Sequence, residues 1–209
     1  MTSQPATASD VPVPHREIEG IRQADARLLE TLRDLDDDAV RRPCRLPHWT
    51  VGHALTHIAR NADSVIRRLE GCARDEIVDQ YVGGAAGRAG EIDAGADRSA
   101  AALVADIIAT NDGVQAAIAA MPDDAWGRLS RGVGGNLSTA EKVLFSRWRE
   151  VEIHHVDLGL GYEPAEWPED LARRWLTDLL PKLADRTSPQ ELLAWCLDRG
   201  TPPTLNAWE

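Results

Sequence analysis

The segment running from Ser138 to Leu160, STAEKVLFSRWREVEIHHVDLGL, constrains the fold more than any other part of the chain. Ser138 and Glu141 stand three residues apart, the spacing of a capping box at a helix start. Gly159 and Gly161 supply a stop, which leaves about five to six turns of helix between the two signals. On a helical wheel, Leu144, Trp148, Val151, His155 and Leu158 share one apolar stripe, with Val143, Glu150 and His154 along its edge. Phe145, Ile153, Val156 and Leu160 make a second stripe behind. A helix apolar on two sides must be covered on two sides, so this one is expected in the middle of a bundle rather than on its surface.

Glu150 and His154 are four residues apart and leave the same face one turn from each other, with Arg147 and Asp157 flanking them on that strip. A carboxylate and an imidazole at the edge of a buried stripe must be paired, hydrogen-bonded or coordinated to a metal. The pair alone is compatible with a simple helix-surface hydrogen bond as well as with metal ligation.

The remaining elements follow from hydrophobic period and punctuation. Arg16–Leu35 carries Ile18, Ile21, Leu28, Leu29, Leu32 and Leu35 at helical spacing, and the acidic run 34–38 followed by Pro43 ends it. After the proline-bounded connector PCRLPHW, Thr50 caps a second predicted helix that Gly71 closes, with Val51, Leu55, Ile58, Ala62, Val65 and Leu69 inward. His53, His57 and Asn61 line one flank of it. By themselves His53 and His57 can be a solvated pair, a hydrogen-bonding group at the helix start or metal ligands. Residues 72–96 read as a Gly/Ala-rich linker, long enough to form a lid and carrying Arg88. A third helix is expected from Asp97 to Ala120, with Leu103, Ile107, Ile108, Val114 and Ile118 inward, before a turn-rich connection over 122–137. Beyond Tyr162–Pro168, two short amphipathic segments at 169–184 and 188–199 form a tail too small to hold a core alone, which is expected to pack on the bundle. The expected organisation is a flexible leader over 1–14, an all-α bundle over 15–162 and a small C-terminal subdomain over 163–209.

Composition excludes several function classes. The formal net charge of −11 offers no basic surface for nucleic acid. No apolar run is long enough to span a membrane, and the leader lacks the apolar core of a secretory signal. Three scattered cysteines, Cys44, Cys72 and Cys196, suit a reduced cytoplasmic setting and read as small buried hydrophobes rather than nucleophiles.

Two long motifs, LPHWTVGHALTHIARNADSV and RWREVEIHHVDLGLGY, together with ELLAWCLDRG near the end, resemble the mycothiol-dependent maleylpyruvate isomerase family. That family is a branch of the DinB-like four-helix bundles, and the likeness covers most of the chain. The resemblance implies a divalent metal, usually zinc, held by His57, Glu150 and His154. Two neutral imidazoles and one carboxylate also form a set that leaves coordination positions open, as a catalytic zinc needs. Glu152 lies too far round the helix to share that metal, and His155 points towards the apolar stripe. The same resemblance places Arg88 and Arg199 near the site, two cations suited to gripping a dicarboxylate.

The function implied is cis–trans isomerisation of maleylpyruvate to fumarylpyruvate using mycothiol, a low-molecular-weight thiol. Other readings are a mycothiol S-transferase acting on another electrophile, and a non-catalytic metal-binding regulatory bundle with His53 as fourth ligand. A metal-free bundle whose histidines are satisfied polar groups is a further one.

Overall fold

The computed structural model describes residues 11–206. Of the expected leader, residues 1–10 lie outside the described residues, and 11–14 have no regular structure. The chain divides into two compact units, Met1–Pro164 and Ala165–Glu209.

The first unit is a four-helix bundle with additions. Its long helices are α1 (His15–Thr31), α3 (Val51–Ala73), α5 (Ala100–Ala119) and α6 (Ala140–Asp157). The short helices α2 (Asp37–Arg41) and α4 (Gly84–Gly95) fall in the connections. Helix α3 packs on α5 and α6, and α1 packs on α6 and α5, which closes a ring of four helices. The core filling that ring includes Ile21, Leu28, Leu55, Ile58, Leu69, Leu103, Ile107, Leu144 and Val151, each no more than 1% exposed. The helix read as central from sequence is central in the fold, with Trp148, His155 and Leu158 buried along its predicted stripe. Gly20 lets α1 approach that stripe closely: a Cβ there would sit 2.4 Å from Cε2 of the Trp148 indole.

Several boundaries differ from those read in sequence. The supposed linker over 72–96 contains α4, a helix of Gly and Ala that buries little except Ile92 and so lacks the apolar period that marks a helix. Gly71 does not end α3. The helix continues to Ala73, and at Gly71 within it a Cβ would lie 2.7 Å from Val78 Cγ2, which leaves room only for glycine. The third helix begins at Ala100, capped by Ser99, and Ile108 on it is 44% exposed rather than inward. The central helix is capped by Thr139, whose hydroxyl accepts from the Lys142 amide, not by Ser138. Ser138 instead pairs with Ser130 in a two-stranded antiparallel hairpin, β1 (Leu129–Arg131) and β2 (Leu137–Thr139), within the stretch read as turns.

The second unit contains α7 (Glu169–Leu179), a 3-10 turn over Leu180–Asp185, and α8 (Pro189–Cys196). Ser188 caps α8 through the Glu191 amide, and the Asn206 amide donates to the Arg186 carbonyl, which closes the end of the unit on itself. Among the described residues no helix is long and apolar enough to cross a membrane, and Cys44, Cys72 and Cys196 are unpaired thiols.

Candidate metal centre

Helices α3 and α6 pack side by side, and their facing strips bring three donors to one point. His57 Nε2 lies 3.2 Å from Glu150 Oε2 and 3.0 Å from His154 Nε2. The third side of the triangle, His154 Nε2 to Glu150 Oε2, measures 3.4 Å. A tetrahedral zinc with bonds of about 2.0–2.1 Å sets its ligands about 3.3 Å apart, so the triangle has the size of one face of that tetrahedron. Among the described residues this is the group of histidine, cysteine and carboxylate side chains that could hold a metal ion.

The electrostatics fit a cation as well. Burial alone would lift the Glu150 carboxyl, but hydrogen bonds with His154 and His57 outweigh it and hold the group well below the usual carboxylate range. Burial pushes His57 down to about 4 despite the neighbouring carboxylate, which keeps its imidazole neutral. His154 is opposite. Burial would lower it, yet Asp157 and Glu150 raise it to about 9. Asp157 Oδ2 lies 2.9 Å from His154 Nδ1, so the Nδ1 proton is donated outward and Nε2 is turned to the site. A carboxylate behind a ligating histidine commonly serves this orienting role at zinc sites.

Of the two arginines, Arg88 is at the centre. It stands on α4 with Nη2 3.2 Å from His57 Nδ1 and 3.4 Å from Nε2, and its guanidinium carbon is 5.9 Å from the Tyr81 ring centroid. The two ring nitrogens aim their lone pairs apart, so one guanidinium nitrogen this near both lies against the imidazole rather than in line with either lone pair. Arg199 belongs to the second unit, where its Nη1 donates to the carbonyl oxygens of Leu197 and Asp198.

His53 does not join the cluster. Its Nδ1 accepts from the Thr50 amide at 3.2 Å while Thr50 Oγ1 receives the His53 amide, so it completes the cap of α3. Trp49 stacks on His53 and meets His57 edge-on at 5.7 Å. Glu152 faces away from the metal cluster, as its helical phase requires, and forms a second buried polar group. It accepts from Arg27, from Trp148 Nε1 and from the Tyr162 hydroxyl, while His155 stacks on Tyr162 at 3.9 Å and bonds Thr31 Oγ1.

Two features of the site were not read from sequence. Asp157 as the partner of His154 was signalled by its spacing of three on the same strip. Arg147 shares that strip, yet its full burial, 0% exposed, was not signalled, because a long side chain at the edge of an apolar stripe can also reach solvent.

The family model described as Mycothiol maleylpyruvate isomerase N-terminal domain matches residues 21–159, which hold all three cluster residues and Arg88. No curated protein matches the chain in sequence. Among solved structures, the crystal structure of the mycothiol-dependent maleylpyruvate isomerase matches with a TM-score of 0.77 at 24% identity, over 87% of this chain and 75% of that one. The structure of a histidine-to-alanine mutant of the mycothiol-dependent maleylpyruvate isomerase matches with the same TM-score, identity and coverage. At this identity the likeness carries the fold.

Proposed function

Since the chain belongs to the mycothiol maleylpyruvate isomerase N-terminal domain family, we propose that it is a metal-dependent enzyme using mycothiol to isomerise maleylpyruvate to fumarylpyruvate, or to perform a related thiol addition. The observation that carries the reading is the convergence of His57 Nε2, Glu150 Oε2 and His154 Nε2 on one face of a tetrahedron. With His53 spent on the helix cap, three protein donors meet there, which leaves a zinc ion room for an exogenous ligand. A closed regulatory site with His53 as fourth ligand is disfavoured by the same cap.

A divalent cation, zinc in this reading, supplies positive charge that favours the thiolate form of a bound low-molecular-weight thiol. His57 and, once it has lost its proton, His154 would hold that ion through Nε2, Glu150 would neutralise one positive charge, and Asp157 would keep the His154 ring in place. The thiolate sulfur bonds to one carbon of the cis double bond, and the π pair moves onto the conjugated carbonyl as an enolate. The former double bond rotates, and return of the electron pair expels the thiolate from the trans product. Arg88, beside His57, is assigned to a substrate carboxylate and to the enolate charge. The assignment of Arg199 to a second carboxylate rests on the resemblance of ELLAWCLDRG alone.

No protein nucleophile is required. Burial raises both Cys44 and Cys72, which keeps them as thiols. Cytoplasmic location belongs to the same reading and is supported by the three unpaired cysteines. The test is turnover of maleylpyruvate with mycothiol and zinc, run beside a panel of other electrophiles. Conversion to fumarylpyruvate with the thiol recovered supports the isomerase. Consumption of the thiol as a stable adduct assigns the chain to transfer chemistry, and no thiol-dependent turnover of any electrophile overturns the enzyme reading.

A further inference from the structure

We infer that Asn61 is a positioning residue for the metal centre: its side-chain amide, oriented by the buried guanidinium of Arg147, holds the Glu150 carboxylate oxygen that faces His57 and His154. The inference rests on the metal reading above and extends it past the ligands.

Arg147 lies at the middle of the bundle and joins all four long helices. From α6, its Nη1 donates to the Ile58 carbonyl at 2.8 Å and to Asn61 Oδ1 at 3.0 Å, both on α3. Its Nη2 donates to Asn111 Oδ1 on α5 at 3.0 Å and lies 3.7 Å from Asp25 Oδ1 on α1. A charge this deep is costly, and apolar residues of similar volume usually hold a core at least as well. Packing alone therefore does not explain it.

The arginine sets the direction of the Asn61 amide. The two ends of an amide have the same shape, but a guanidinium has donors and no acceptor, so the Asn61 atom facing it must be oxygen. The NH2 group then turns the other way, towards Glu150 Oε2 at 3.5 Å. That oxygen is the one 3.2 Å from His57 Nε2 and 3.4 Å from His154 Nε2. Asn61 is itself 5% exposed, one turn after His57 on α3, so the amide reaches Glu150 from the buried side of the site. Arg147 fixes Asn61, and Asn61 fixes Glu150.

Asn61→Leu removes the amide at nearly constant volume, and Asn111→Leu is its control. Each takes one side-chain acceptor from Arg147, but only Asn61 reaches Glu150. The readouts are the zinc Kd from competition with a chromophoric chelator and the thermal midpoint in excess chelator. Loss of a group that orients a ligand weakens zinc binding by about 10–100-fold, which is the result expected for Asn61→Leu. Asn111→Leu is expected to stay within about threefold of the wild-type zinc Kd while still losing stability, since it too takes a buried acceptor from Arg147. Should Asn61→Leu not fold, Asn61→Ala serves, with an expected loss of about tenfold or more. A wild-type Kd in the Asn61 variant, or an equal loss in the Asn111 variant, overturns the inference while leaving the metal site intact. A wild type that binds no zinc overturns the metal reading and this inference with it.

Discussion

Zinc binding to the metal-stripped protein is expected to release about one proton per ion at pH 7.5, and that proton belongs to His154. At this pH the Glu150 carboxyl, held well below its usual range, is ionised, and His57, pushed down to about 4 chiefly by burial, is neutral. His154 retains its proton because Asp157 and Glu150 outweigh burial and raise it to about 9. With that value the imidazole is protonated in nearly all molecules at pH 7.5, and ligation through Nε2 requires the proton to leave. The zinc Kd should therefore fall about tenfold per pH unit between pH 6 and pH 8, or about 1.4 kcal/mol per unit. Calorimetry in buffers of different ionisation enthalpy counts the protons directly. Asp157→Asn removes part of what raises His154 and should lower the count at pH 8, while weakening zinc binding by about 10–100-fold through loss of ring orientation. A zinc affinity that is flat from pH 6 to pH 8, with no proton released, would refute the assignment of the third donor to His154.

Four further outcomes follow from the same structure. In metal-stripped protein, His57 and His155 are both pushed down to about 4, mainly by burial, so the stability they support is present above the unfolded value near 6.5 and is lost as pH falls through 4. His154, raised to about 9, contributes stability below about 6.5 that is lost as pH rises through 9, so these three imidazoles place a maximum near pH 6.5 in urea titrations. Gly52→Ala puts a Cβ 2.1 Å from the Ala96 carbonyl oxygen, a backbone atom that cannot step aside, and should cost about 1–3 kcal/mol in denaturant unfolding despite alanine's better helix propensity. Tyr162→Phe leaves the buried Glu152 carboxylate short of one donor and should cost about 1–3 kcal/mol in the same assay with zinc content unchanged. Arg88→Ala should retain zinc yet lose about 10–100-fold in kcat/KM for a dicarboxylate substrate, with Arg88→Lys recovering only part because it lacks the planar fork.

How much of this was legible in the sequence depended on whether a residue's role follows from its own helix. The two-sided apolar pattern of 138–160 marked α6 as central, and the burial of Leu144, Trp148, Val151 and Leu158 follows it. The separation of Glu150 from Glu152 followed from helical phase, and the structure places them in two different polar groups. Thr50 was readable as a cap, but not that His53 would reach back to complete it, since the same histidine four residues before His57 equally suited a ligand. Helix α4 was hidden because glycine and alanine carry no hydrophobic period, so Arg88 was placed near the site by the family resemblance and by no local pattern. The Arg147 network was least legible. Its partners Ile58, Asn61, Asn111 and Asp25 come from three other helices, and no local pattern records which side chains a bundle brings together.

The most direct test of the metal centre is metal content by mass spectrometry on wild type, Glu150→Ala and His154→Ala, with mycothiol binding followed on the same samples. The geometry predicts about one zinc per wild-type chain, absent from both variants together with thiol binding, because removing either side chain leaves two donors of the triangle. A wild type that holds no metal even after reconstitution, or variants that retain it, would contradict the account.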